Sequence, residues 1–314
     1  MLTNGFTFTA VPSAIVHAGA APVYVECTDA YVVDLDDLAR KIEASSAKHF
    51  MVSHMRGKIA DMDAVKAICD DRGVTLLEDC AHSIGVLWNG YHTGHHGEIA
   101  CISSQSYKML NSGEGGFLLT DDDDHIAAAM TYAGAYEALA AKHLCRPPPE
   151  AMARVRNRLP NYSLRMHEVT AAMIAPQIAT IDARRATYNA RHYALADRLR
   201  ALPGVSVPEQ LPQVTIVGDS IQFNVDGLSA AQTDGFLARC GERGLPVELF
   251  GGATNARNFV NWQYAPQPPC GLPQTAAVIA GAFDVRLPLL FDDDDFDAMF
   301  TILAESLDEA RVED

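Results

Sequence analysis

The residues best suited to chemistry crowd into one stretch of the 314-residue chain, Val74 to Gly116. Val74 to Leu77 is a short apolar, partly β-branched run that reads as a buried strand. It ends in two carboxylates, Glu78 and Asp79, followed by small residues and His82. A second buried run, Ile99 to Ser103, follows a Gly/His-rich loop and leads into Ser104, Gln105, Ser106 and a single lysine, Lys108. Gly113, Gly115 and Gly116 come next and permit a tight backbone turn. An acid at one strand end, with hydroxyls and a lysine at another, suits a cofactor that carries a cationic ring, an aldehyde and a phosphate.

The aldehyde needs an amine, and a free lysine with a pKa of about 10.4 is almost wholly protonated at neutral pH. Burial and Schiff-base formation convert such a lysine into a catalyst. A pyridine ring withdraws electrons well only while its nitrogen stays protonated, which a neighbouring carboxylate secures. Opposite charges about 4 Å apart are worth roughly 4 kcal/mol at an effective dielectric near 20. Before desolvation that equals about three pKa units, enough to hold a pyridinium at pH 7. Asp79 is the candidate for that partner and Lys108 for the covalent link. Taken singly, an Asp after a strand is a turn or helix cap, and a Lys among serines is a solvated side chain. The whole pattern carries the assignment.

The elements that must position these groups alternate. Ala21 to Cys27 reads as a strand, Asp34 to Ala44 as a helix, Phe50 to His54 as a strand and Asp61 to Arg72 as a helix; the chain opens with a helix start over Thr7 to His17. Strand, helix, strand, helix, strand at this spacing means parallel βαβ units, whose ligands lie at the carboxyl ends of the strands. His54 at a strand end reads as structural. Phe117 to Thr120 is a further strand, followed by a helix from Asp124 to about Tyr132. The Pro/Arg-rich segment 143–160 reads as a surface connector. Met166 to Leu202 is helical with a kink around Pro176, and its Arg184, Arg185, Arg191, Arg198 and Arg200 read as a solvated face. Strands at Val214 to Val217 and Ile221 to Val225, then helices over Ser229 to Arg243 and Asp292 to Ala310, complete the chain. The resulting expectation is an α/β protein: a three-layer αβα large domain with a mostly parallel sheet over residues 1–200, and a smaller C-terminal α+β domain over 201–314. Glu248 to Tyr264, rich in Gly, Asn and aromatics, reads as lining the substrate side through Asn255 and Trp262, with core packing as the alternative.

The segments LLEDCAHSIG and IACISSQSYKMLNSGEGGFLLTDD resemble the DegT/DnrJ/StrS sugar aminotransferases, and so do GAAPVYVEC, SHMRGKIADMDAV and LRMHEVTAAMIAPQI. That resemblance implies pyridoxal 5'-phosphate as cofactor and the aspartate aminotransferase fold (fold type I). By it Asp79 pairs with the ring nitrogen and His82 sits near the ring hydroxyl. Lys108 forms the Schiff base, and Phe8 stacks on the ring. Ser103 and Gln105 support the phosphate and its neighbouring groups. Ser163 stands where the family carries Asn in Asn-x-Arg-Met, and Arg165 keeps the match as a substrate-side residue donated across a homodimer interface. Lys108 favours amino transfer, since a sister branch that dehydrates sugars carries histidine there. The implied activity moves an amino group from glutamate or glutamine to a keto sugar, nucleotide-linked in the usual case, or to a keto cyclitol. Family members carry a longer segment before FTFTA, with a Gly-Thr turn that holds the phosphate. Its absence upstream of Lys108, together with Ser163, supports a second reading, a regulatory relative or partner subunit with an incomplete phosphate clamp. A sugar dehydratase is the third.

Net charge is −16, which argues against nucleic acid or anionic membranes as partners. The acidic runs Asp121 to Asp124 and Asp292 to Asp295 read as helix starts rather than metal sites. His92, His95 and His96, set among glycines, lack the rigid frame of a metal site. Seven cysteines without a Cys-x-x-Cys pair, and no export signal at the N-terminus, fit a reduced cytoplasmic protein.

Overall fold

The computed structural model describes residues 1–134, 143–144 and 146–312. The chain starts with β1 (Leu2–Asn4), α1 (Ala10–His17) and β2 (Val23–Val25), continues through α2 (Leu35–Ala44), β3 (His49–Ser53) and α3 (Met62–Asp71), and reaches β4 (Thr75–Asp79). A small hairpin, β5 (Leu87–Trp88) and β6 (Tyr91–His92), precedes β7 (Ile99–Ser103) and β8 (Gly116–Leu119). The large sheet has the order β2-β1-β3-β4-β7-β8. All its pairings are parallel except β7 with β8. Polar side chains start the helices as the sequence leads one to expect. Asp34 accepts from the Asp37 N–H, Asp61 from Ala64 and Asp122 from His125. Both aspartate runs are helix starts, Asp292 accepting from the Asp295 N–H at 3.0 Å.

Beyond β8 lie α4 (Asp123–Ala133), α5 (Pro149–Val155), α6 (Glu168–Ile178) and α7 (Ile181–Arg200). The expected connector therefore contains a short helix, and Cys145 within it lies outside the described residues. The long helix divides between Ile178 and Ile181, with Pro176 inside the last turn of α6. The α7 arginines form a solvated face only in part, Arg200 being exposed and the others half-buried. Arg185 donates to the Gly85 carbonyl and Arg191 to that of Leu289, while Arg198 pairs with Asp297 and Arg200 reaches Val207.

The C-terminal part holds β9 (Val205–Ser206), β10 (Val214–Thr215), β11 (Ser220–Val225), α8 (Ala230–Glu242), β12 (Glu248–Leu249), α9 (Pro273–Ala280), β13 (Ala282–Arg286) and α10 (Asp293–Val312). Its antiparallel sheet runs β12-β13-β11-β9, and β10 pairs instead with the β5–β6 hairpin. A Ser229–Gln232 capping box opens α8. One apolar cluster (Leu2, Val25, Leu38, Phe50, Val52, Val65, Leu76) lies under the large sheet, and another (Phe223, Phe236, Phe283, Val285, Leu303, Leu307) under the small one. The start of α7 packs on the first through Ile181 and Tyr188, and its end enters the second through Leu195, Ala196 and Leu199. No helix among the described residues is long and apolar enough to cross a membrane.

Candidate active site

Glu78 and Asp79 are neighbours on β4, and strand geometry turns them to opposite faces. Glu78 is buried and saturated with donors. It accepts from the N–H groups of Gly94, His96 and Gly97 at 3.0, 2.7 and 2.7 Å and lies 3.0 Å from Nε2 of His54. Against the cost of burial, the His54 contact and the peptide donors hold its carboxyl well below the usual range, and Cys80 and Glu78 in turn raise His54 against its own burial. His54, Glu78 and Cys80 form a buried group close enough to share an ion. A carboxylate already satisfied by four donors serves as an ion-pair partner, and the group ties the His-rich loop to the sheet.

Asp79 faces the other way, at the carboxyl end of its strand. Its Oδ2 accepts from the Ser53 hydroxyl at 2.7 Å and its Oδ1 from the Ala81 N–H at 3.1 Å. The Ser53 hydroxyl in turn accepts from Thr7 Oγ1 at 2.7 Å. The turn after Asp79 carries His82, whose Nε2 lies 2.9 Å from Nζ of Lys108.

Lys108 arrives there because of the loop that holds it. Ser104 N–H bonds to the Gly115 carbonyl and Ser106 N–H to that of Gly113. Gly115 sits at φ 148°, and a Cβ there would meet Ser104 Oγ at 2.7 Å, so only glycine permits the closure. The Lys108 N–H bonds back to the Gln105 carbonyl, and buried Met109 and Leu110 anchor the turn. Gln177 of α6 clamps Asn111 through bonds of 3.0 and 2.6 Å.

Lys108 and His82 share a crevice with Ala81, Ile84, Met109, Val217 and Asp219. Burial, reinforced by the Arg286 guanidinium and opposed by Asp79, pushes the Lys108 amine down to about 8. Burial and the neighbouring Lys108, Arg56, Arg286 and Arg257 cations hold His82 well below the usual imidazole range. The crevice thus combines a half-buried amine of lowered basicity, a neutral imidazole and a fixed carboxylate. That donor set suits an aldehyde and a protonated heterocycle.

Other expected residues fall around this centre. Ser103 ends β7, its Oγ accepting from the Gln105 N–H at 3.3 Å, and the Gln105 side-chain Oε1 accepts from the Tyr107 N–H at 3.1 Å. Both side chains keep their own donors for a further partner. Phe8 is 38% exposed, with the Arg257 guanidinium 5.6 Å from its ring centre. Arg165 caps the C-terminal end of α4, donating to the carbonyls of Gly134 and Ala133 at 3.2 and 3.4 Å. Ser163, at φ 56°, is exposed and donates its N–H to Asn161.

Trp262 differs from expectation. It is 2% exposed, packs 5.6 Å from Tyr24 and donates Nε1–H to the Ala256 carbonyl, which removes it from the substrate side. Asn255 is turned inward on its own loop, donating to the Leu249 carbonyl and accepting from the Arg257 N–H. The stretch folds on itself because its Asn side chains are spent on its own backbone. Sequence reasoning passed over Ser53, Asp219 and Arg286. Asp219 and Arg286 pair at 3.2 Å beside the crevice. The one available signal was a polar residue at the end of an otherwise apolar strand, as Ser53 is.

Residues 1–276 match the DegT/DnrJ/EryC1/StrS aminotransferase family. Among curated relatives, 3-amino-5-hydroxybenzoate synthase of Amycolatopsis mediterranei (strain S699) is 31% identical over 251 residues, covering 79% of this chain and 62% of the relative. A putative L-glutamine:3-amino-2,3-dideoxy-scyllo-inosose aminotransferase of Streptomyces kanamyceticus is 30% identical over 222 residues, covering 68% and 49%. The chain thus spans about half to three-fifths of the length of these relatives. The crystal structure of 3-amino-5-hydroxybenzoic acid synthase superposes with a TM-score of 0.81 at 25% identity, covering 98% of this chain and 80% of that one.

Proposed function

This chain belongs to the DegT/DnrJ/EryC1/StrS aminotransferase family, whose members are pyridoxal-phosphate-dependent enzymes of fold type I, and from that membership we propose that it transfers an amino group to a keto sugar or keto cyclitol, with glutamine or glutamate as donor. The relative named for a scyllo-inosose, a cyclitol, supports the keto cyclitol among those acceptors. The carrying observation is Lys108, an amine lowered to about 8 at 2.9 Å from a neutral His82 and within the field of Asp79.

Pyridoxal phosphate supplies an aldehyde and an electron-withdrawing ring. Lys108 is the residue that holds it covalently, and when released from that bond it carries the proton to and from the substrate carbon. Asp79 neutralises the ring nitrogen, and His82 flanks the amine without adding charge. Ser103 and Gln105 donate to the phosphate, Ser163 stands on the cofactor side at the position of the family's phosphate-contacting Asn, Phe8 flanks the ring, and Arg165 belongs to the substrate rim of a homodimer. Apolar side chains left on α6 favour that dimer, with Val169 60% exposed and Ile178 55% exposed. The division at residue 200 into a cofactor-binding and a small domain belongs to the same proposal.

The test is to load the purified protein with pyridoxal 5'-phosphate, reduce it with borohydride and map the product by mass spectrometry. A pyridoxyl adduct on Lys108 is expected. An unmodified Lys108, or an adduct elsewhere, overturns the assignment. Release of keto acid in equal amount with aminated product then identifies transfer.

A further inference from the structure

We propose that Ser53 and Thr7 form a hydroxyl relay that positions the Asp79 carboxylate beneath the cofactor ring and sets how far the shared proton stays on that ring. The inference rests on the cofactor reading above and concerns residues outside the Lys108 motif.

The geometry fixes the direction of each bond. A carboxylate accepts, so the Ser53 hydroxyl donates its only proton to Asp79 Oδ2, at 2.7 Å. The Ser53 oxygen is then free to accept, and Thr7 Oγ1 donates to it at 2.7 Å. Both hydroxyl residues are buried, Thr7 at 0% and Ser53 at 4% exposure. Ser53 itself cannot drift. Its N–H donates to Asn4 Oδ1 and its carbonyl accepts from Asn4 Nδ2, each at 3.0 Å. Register does the rest, because Ser53 and Asp79 are paired residues on adjacent parallel strands. Three strand ends, β1 through Asn4, β3 through Ser53 and β4 through Asp79, therefore meet at one residue: Asn4 holds the Ser53 backbone while the Ser53 hydroxyl reaches Asp79.

A buried serine always needs a partner, and that need alone would be met by any carbonyl. Here the partner is the strand-end carboxylate whose charge acts on Lys108, and the second hydroxyl in line donates to that same serine. A hydrogen bond donated to a carboxylate favours its anionic form. While Asp79 stays an anion, the proton it shares stays on the ring, and the ring stays electron-poor. Without the Ser53 donor the carboxylate competes better for that proton and is free to turn. A less positive ring leaves the Lys108 nitrogen bonded to it more basic.

The experiment compares the unaltered protein with Ser53→Ala, Ser53→Thr and Thr7→Val, each loaded with pyridoxal 5'-phosphate. Three quantities are read: the borohydride adduct on Lys108, the pH midpoint of the visible absorption change, and the cofactor dissociation constant. The charged groups around that nitrogen, Arg286, Asp79, Arg56 and Asp219 with His82 alongside, are common to all four proteins. Ser53→Ala is expected to keep the adduct, move the midpoint upward by at least about half a pH unit and weaken cofactor retention roughly tenfold. Ser53→Thr keeps the hydroxyl and is expected to match the unaltered protein, and Thr7→Val shifts the midpoint the same way by less. An adduct with an unmoved midpoint in Ser53→Ala, or equal shifts in the Ala and Thr variants, overturns the relay alone. No adduct in the unaltered protein overturns the cofactor reading and the relay with it. Should Ser53→Ala fail to fold, Thr7→Val decides, and an unmoved midpoint there counts against the relay.

Discussion

Nζ of Lys108 and Nε2 of His82 lie 2.9 Å apart, across a turn and a loop that the chain builds 26 residues from each other. Neither group can carry a full positive charge comfortably beside the other. Burial and the surrounding cations keep the imidazole neutral, so His82 accepts when Lys108 is protonated.

The reaction of Lys108 with pyridoxal phosphate depends on the neutral amine. With the amine at about 8, trapped adduct forms about tenfold more slowly for each pH unit below that value and levels off above it. Arg286 lowers the amine by repulsion, so Arg286→Gln moves the break in the profile upward. Lys108→Ala abolishes both adduct and transfer. Borohydride trapping over a pH series measures the adduct in each protein, and keto acid release measures the transfer.

Glu78→Gln replaces one of two accepting oxygens with an NH2 group set against N–H donors and leaves His54 without its counter-charge. Breaking a buried pair of this kind costs about 3–5 kcal/mol, which chemical denaturation reads directly. The pH signs are opposite for the two partners. Glu78 is held low in the fold, so its contribution is complete above the ordinary carboxylate range and is lost as pH falls below it. His54 is held high, so its contribution is complete below the ordinary imidazole range and fades as pH rises above it.

Lys58 is 6% exposed, and burial lowers its amine from 10.5 to about 8. The unfolded chain binds more protons than the folded one between those values, so stability rises with pH across that window and the cost is fully present below pH 8. Lys58→Met is expected to stabilise the protein at neutral pH by on the order of 2 kcal/mol and to flatten the slope above pH 8. Urea midpoints at neutral and at alkaline pH check both.

Trp262→Ala tests the correction made above. A core tryptophan lost from its packing costs about 3–5 kcal/mol, whereas a wall of the substrate site shows itself in KM. The expected result is a large fall in melting temperature. Trp262→Phe recovers part of it, and KM stays close to that of the unaltered protein.

Much of this was legible from local signals. The strand, the Glu-Asp pair, the small residues and His82 are contiguous, and the run from Ser103 through Lys108 to Gly116 names its own turn. The α/β alternation of the first hundred residues followed from periodicity. Of the strands that escaped, two did so for instructive and different physical reasons. Leu2–Asn4 is too short to show a period, yet it is paired on both sides in the large sheet, between β2 and β3. Ala282–Arg286 carries Asp284 in its middle, which reads as a break. In the fold that aspartate is buried against the Arg56 guanidinium, and Gln222 donates to it at 2.7 Å. Asp219 and Arg286 were invisible as site residues because only the entry into the second sheet brings them near Lys108, and Ser53 offered only a polar strand end, its link to Asp79 being made by strand register. Trp262 misled because an aromatic, Asn-rich stretch looks the same whether its Asn side chains greet a sugar or their own carbonyls.

The twenty-residue helix Ile181–Arg200 has its head set in one apolar cluster and its tail in the other. Such a rod leaves no seam along which heat could part the two halves. They are therefore expected to melt as a single calorimetric transition, and any swing of the smaller half over the crevice must bend or carry that rod with it.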